Sequence, residues 1–192
     1  MKYVKILGLL AVAAAALMAF AGTASATSVT ETTGGAAATP TIHAVNEGGH
    51  VTLANPIANI SCSSTVSGAV ESHGSGIAAS GNIGELLFTG CTNSWHVTAT
   101  ANGSLEVNWT SGHSGLLTSK NAKVDTTRLG VTCVYGTGAG TAIGTVTGGS
   151  PATLKIEASI PIVAAESSGL CGTGNAKWEG SYVTTSALYV AP

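Results

Sequence analysis

The chain is predicted to be all-β, an antiparallel β-sandwich or partly closed barrel of about nine or ten short strands, behind a cleaved N-terminal signal helix. Three observations predict this. Apolar and polar residues alternate with period two over long stretches, the signature of strands half in water. Gly-rich turn signals separate those stretches. No segment after Ala26 shows helical spacing.

The first element is an address. The chain opens MKYVKILGLLAVAAAALMAFAGTASAT. Lys2 and Lys5 form a charged start, Ile6 to Ala21 is an almost unbroken apolar run, and Ala24-Ser25-Ala26 offers small residues for a peptidase. That order is a secretory signal. A membrane anchor is the competing reading, but the run is shorter than the ~20 apolar residues a spanning helix needs. Cleavage after Ala26 is expected, with no membrane span afterwards. No cysteine sits at the cleavage point, so a lipid-anchored form is not expected.

Residues 27–40, TSVTETTGGAAATP, are small, polar and aperiodic, which reads as a flexible lead. Residues 41–192 are expected to form one β-domain. In SLEVNW, Leu105, Val107 and Trp109 share one face. In TLKIEASIPI, Leu154, Ile156, Ala158, Ile160 and Ile162 alternate with Lys155, Glu157, Ser159 and Pro161. WHVTATA, RLGVTCVY and KWEGSYVTT read similarly. Asn102-Gly103, between two alternating runs, predicts a hairpin. CVYGTGAGTAIGTVT, residues 133–147, lacks dinucleotide-loop spacing and has no following helix. It is expected to be a strand ending near Tyr135, a glycine hairpin and a returning strand.

Charge excludes some partners. Charged residues are 8% of the chain, well below the usual quarter. Beyond Ala26 the bases are Lys120, Lys123, Arg128, Lys155 and Lys177, against nine acids. No nucleic-acid partner is expected, since that needs clustered Lys and Arg. An anionic membrane surface is not expected either.

Four cysteines, Cys62, Cys91, Cys133 and Cys171, suggest two disulfides in an exported protein. Sequence leaves three pairings open. The sequential pairs Cys62–Cys91 and Cys133–Cys171 are favoured, each worth ~3.5 kcal/mol on the chain-entropy model. No C-x-x-C or H-x-x-x-H occurs, so no metal is assigned. A faint echo places a tryptophan after each second cysteine, Trp95 and Trp178, which would fit either a duplication or a generic Thr/Gly-rich β-chain.

Cys62, Phe88-Thr89-Gly90-Cys91, Trp109, Gly130 to Tyr135, Cys171 and Trp178-Glu179-Gly180-Ser181-Tyr182 follow in a fixed order. With the Ala-rich start and the terminal LYVAP, this resembles small exported actinobacterial four-cysteine β-rich proteins of unassigned function. The resemblance covers about residues 57–192 and implies fold and disulfides, not catalysis. A vaguer similarity is to exported alkane-oxidation activator proteins, with no shared diagnostic motif.

No catalytic or cofactor-binding residue is assigned. G-x-S-x-G is missing. His96 or His113 could meet a serine and Asp125, the sole aspartate, but His96 reads as an exposed strand residue. His43 and His50 could meet across a hairpin and hold a metal, yet exposure is the simpler reading; His73 carries no motif. The glutamates are scattered singly, unlike a glycosidase pair. Trp178, Gly180 and Tyr182 share a strand face and could stack on a ligand, with Trp95 joining if the halves are related. The competing reading puts Trp178 in the core.

The expectation is therefore a secreted or envelope-associated, non-enzymatic β-domain with a structural or interaction role. Cell-wall components, polysaccharide or another surface protein would be its partners. The alternative is a binding module for carbohydrate or a small apolar ligand. A secreted hydrolase or a protease inhibitor ranks lower.

Overall fold

In the computed structural model, residues 27–72 and 77–192 are described. The expected signal segment, 1–26, and His73 lie outside them. Among the described residues alternation gives fourteen strands, more than expected because several long runs are broken in two. They are β1 (Ser28–Thr30), β2 (Thr41–Asn46), β3 (Val51–Asn55), β4 (Ala58–Glu71), β5 (Ala79–Thr89), β6 (His96–Ala101) and β7 (Ser104–Ser111). The second half holds β8 (Ser114–Lys120), β9 (Lys123–Arg128), β10 (Val131–Gly136), β11 (Thr141–Thr147), β12 (Thr153–Ile160), β13 (Ala176–Thr184) and β14 (Tyr189–Ala191).

Each barrel strand pairs antiparallel with its neighbours in chain order, and β12–β13 and β13–β2 pairing closes the ring. The result is a closed eight-lane meander, β2-β4-β5-β7-β8-β11-β12-β13. Of the two architectures the sequence allows, the barrel is the one formed. Closure removes exposed sheet edges, which matters for a chain with few charges to guard them. β3 is an extra strand that continues the lane of β2. Both run against β4, and the register between Val45↔Thr65 and Val51↔Cys62 slips by three residues. That slip absorbs the turn around Gly48-Gly49.

Three lanes outgrow the barrel. β6 and β9 pair as His96↔Thr127 through Ala101↔Lys123, and β7 and β8 resume as Ser104↔Lys120 with the same offset. They are one long hairpin whose reversal lies at Gly112-His113. Its distal half, joined by β10, leaves the ring as a three-stranded sheet ordered β10-β9-β6. β10 in turn continues into β11, which pairs with β8.

This corrects two expectations. Asn102-Gly103 is a bend within a long strand, not a hairpin. Gly103 has φ +66°, and a Cβ there would lie 2.1 Å from the Lys120 carbonyl oxygen. Asn121 on the partner strand is also left-handed, with φ +56°. The local sequence encodes a positive φ correctly, but here it tilts a sheet instead of reversing it. Likewise the glycines at 136–140 make the same bend in the third lane, so β10 and β11 do not pair with each other. Asn121 N–H donates to the Gly138 carbonyl at 2.7 Å, tying two bends together.

The bent sheet covers one mouth of the barrel as a lid. Its outer edge is bonded to the β12–β13 connection. Val163 and Ser168 N–H donate to Val134 and Thr132 carbonyls at 2.8 and 2.9 Å, and the Cys133–Cys171 disulfide crosses the same junction. The other disulfide, Cys62–Cys91, joins β4 to the turn after β5. Both favoured sequential pairs are formed.

The opposite mouth is closed by β1 and β14, paired Ser28↔Ala191 to Thr30↔Tyr189. The start of the expected flexible lead is thus a strand. Val29 is 1% exposed, and Ser72 Oγ accepts from its N–H at 2.8 Å. Burying an apolar plug at the mouth offsets the entropy of ordering those residues. The two cysteine–tryptophan series occupy different places, Cys62 in a barrel lane and Cys133 in the lid.

Candidate functional site

Inward positions of every lane follow from the two-residue period. β13 sends Trp178, Gly180 and Tyr182 inward, β12 sends Leu154, Ile156, Ala158 and Ile160, and β7 sends Leu105, Val107 and Trp109. Lys155, Glu157, Lys177 and Glu179 fall on the outer face, where Lys155–Glu157 and Lys177–Glu179 pair along their strands.

The lumen is not filled. Two apolar cavities, of about 50 and 60 Å³, lie end to end along it. Val66, Ile83, Leu105, Leu117 and Leu154 line both, so these side chains stand between the two. The cavity under the lid is walled by Phe88, Ile156, Trp178 and Tyr182 from the barrel and by Val124 and Tyr135 from the lid. The other is walled by Ile42, Val70, Val107 and Val146, and is capped by Val29 and Val190.

Polar groups in this space are few. Tyr182 donates through its hydroxyl to Ser64 Oγ at 3.0 Å, and Ser64 N–H donates to Asn46 Oδ1 at 2.7 Å. Burial pushes the Tyr182 hydroxyl up to about 12, and its Ser64 bond and the nearby Trp178 indole pull it only partly back. Trp178 packs edge-on against both Tyr182 and Phe88, at 6.5 and 6.2 Å between centroids. Ser119 and Thr137 pair with each other at 3.3 Å, and Ala122 N–H donates to Thr137 Oγ1.

Among the described residues two buried side-chain atoms make no hydrogen bond of good geometry, Tyr135 Oη and Trp178 Nε1. Both residues line the cavity under the lid. Tyr135 is 1% exposed, and burial raises its hydroxyl pKa. A buried donor left unmade costs about 1–3 kcal/mol, and both atoms are sealed within the wall, with almost no surface of their own.

The predicted residues divide. Trp178 and Tyr182 share this wall, so the face read from sequence is the lumen face. Trp95 is elsewhere: it precedes β6, is 8% exposed, lines neither cavity, and carries the Arg128 guanidinium 6.0 Å over its ring. Tyr135 was not singled out. Its only sequence signal is an aromatic two residues after Cys133 on an alternating strand, and nothing local says that this strand folds over a mouth.

Other candidates disperse. His96 and Asp125 lie on the outer face of the lid, where Asp125 accepts from Thr100 Oγ1 at 3.1 Å. His113 sits at the hairpin reversal, edge-on to Tyr189 at 5.4 Å. His43 and His50 are successive parts of one lane, not opposed across a hairpin. Among the described residues no three His, Cys, Asp or Glu are grouped to hold a metal. Among them, too, no helix is long and apolar enough to cross a membrane.

Compared with family models, curated proteins and solved structures, the chain finds no match.

Proposed function

We propose that this is an exported, non-enzymatic β-barrel that holds a small apolar molecule in its lumen. One observation carries the reading: two unfilled apolar cavities of about 50 and 60 Å³ lie inside a barrel covered at both mouths. Protein interiors are ordinarily packed to crystal density, and an apolar cavity that stays dry is open to a small apolar guest. Export is supported by the N-terminal pattern and by two formed disulfides, which persist in oxidising compartments. The inward turn of Trp178 and Tyr182 favours an apolar ligand over carbohydrate. A sugar would carry several hydroxyls into a wall that offers almost no partners for them.

The test is native mass spectrometry of protein recovered from a culture medium, followed by a thermal-shift screen. A stoichiometric apolar adduct, or a Tm raised by apolar compounds and not by oligosaccharides, is expected. Apo protein whose Tm answers to no apolar compound overturns the reading.

A further inference from the structure

We infer that the lumen is two chambers divided by a septum, and that each chamber takes an apolar guest the size of a gas molecule. The inference rests on the lumen-binding reading and adds the number, size and chemical class of what is bound.

The lanes build the septum. The five side chains that line both cavities are Val66 from β4, Ile83 from β5, Leu105 from β7, Leu117 from β8 and Leu154 from β12. One branched apolar residue from each of five lanes therefore stands between the voids. Four of them lie opposite a glycine or alanine on the neighbouring lane: Val66↔Ala44, Ile83↔Gly68, Leu105↔Gly81 and Leu117↔Gly144. Directly opposed residues share a sheet face, so each small partner leaves its share of the lumen to the large side chain. Small barrels fill their interiors by this alternation of small and large. Here it is concentrated at one level, which closes the middle and leaves a void on either side.

Volume sets the size of the guest. A void of ~150 Å³ admits benzene, roughly 25 Å³ for each carbon of the ring. On that scale, voids of about 50 and 60 Å³ each hold about two or three non-hydrogen atoms. The wall sets the chemistry. Tyr182 is bonded to Ser64 and Ser119 is paired with Thr137, so few polar atoms are left for a guest. A buried water needs about two to four polar partners. A charged guest needs a counter-charge, and neither lining contains Lys, Arg, His, Asp or Glu. The class that fits is a diatomic gas or a hydrocarbon of about two or three carbons.

The test joins xenon pressurisation of crystals to methyl NMR titration of the oxidised protein with ethane, benzene and hexane. Two xenon peaks are expected, one in each cavity. Ethane should shift the methyls of Ile156, which lines only the cavity under the lid, and of Val146, which lines only the other, along independent saturation curves. Benzene and hexane should move neither. In L117A the chambers fuse into a space of about benzene size. Benzene should then raise the Tm of that variant by about 3 °C or more and leave the wild type unmoved. L105A, truncated at a half-buried position of the same septum, serves if L117A does not fold. Entry of benzene or hexane into the wild-type lumen overturns the septum and the size assignment and leaves lumen binding standing. Xenon in one cavity alone, or coupled ethane curves, overturns the two chambers. Folded L117A and L105A that both ignore benzene overturn the septum. A wild-type lumen that admits no guest of any size, xenon included, overturns this inference and the lumen reading together.

Discussion

The same three lanes behave differently on either side of their bend. Below it, β7, β8 and β11 are barrel staves with neighbours on both sides. Above it, β10 is tied to the 161–168 segment, whereas β6 is an edge strand. Facing β6 across a seam is the far half of β5, which pairs with β7 only over Ala79–Asn82. Asn102 Nδ2 donates across that seam to the Gly84 carbonyl at 2.8 Å. The lid is thus bonded along one side by backbone pairing and a disulfide, and along the other by the Cys62–Cys91 disulfide at the start of β6 and by side-chain hydrogen bonds. Pairing partners, not strand propensity, decide which half of a strand is wall and which is door.

The hardest way to break this division is at the bend. Gly103→Val would force a branched side chain into a left-handed conformation and into the Lys120 carbonyl. A loss of about 4 kcal/mol is expected in urea denaturation, combining backbone and overpacking penalties. Cutting the latch is next. The C133A/C171A double variant should lose about 3 kcal/mol. Hydrogen exchange should then quicken in β9 and β10 while β12–β13 amides keep their protection. Uniform loosening would mean that lid and wall are one unit.

Alkaline titration sharpens the comparison from the barrel side. An unfolded tyrosine titrates near 10, whereas folded Tyr182 is pushed up to about 12. Between those values the unfolded chain has lost a proton that the folded one keeps, so stability falls as pH rises. Its contribution is complete below pH ~10 and fades by ~12, worth about 2–3 kcal/mol. Y182F should flatten most of that slope in pH-dependent melts; the raised Tyr135 keeps the remainder. The smallest effect belongs to the seam. Asn102→Ala should cost about 1 kcal/mol and speed ligand exchange without changing the far-ultraviolet spectrum.

Much of the wall was legible. Leu154 to Ile160 and Leu105 to Trp109 alternate as expected because one face meets an apolar lumen and the other meets water. The two disulfides join cysteines close in sequence because each staples neighbouring elements. The lid was not legible. Asn102-Gly103 states a local φ, and whether a left-handed residue reverses a strand or tilts it depends on its register with Lys120 and Asn121. Tyr135 was obscure for the same reason: a buried tyrosine acquires an orphaned hydroxyl only when a second sheet sets it over the lumen.

The ring closes through β2 and β13, strands near opposite ends of the sequence. Such long-range pairing carries a loop-closure cost that local contacts do not, and it is slow to form. The lid hairpin, by contrast, is contiguous from His96 to Gly136. It can assemble while the ring is still open. Closure of the chamber is therefore expected to await the docking of β13, the last barrel strand in chain order.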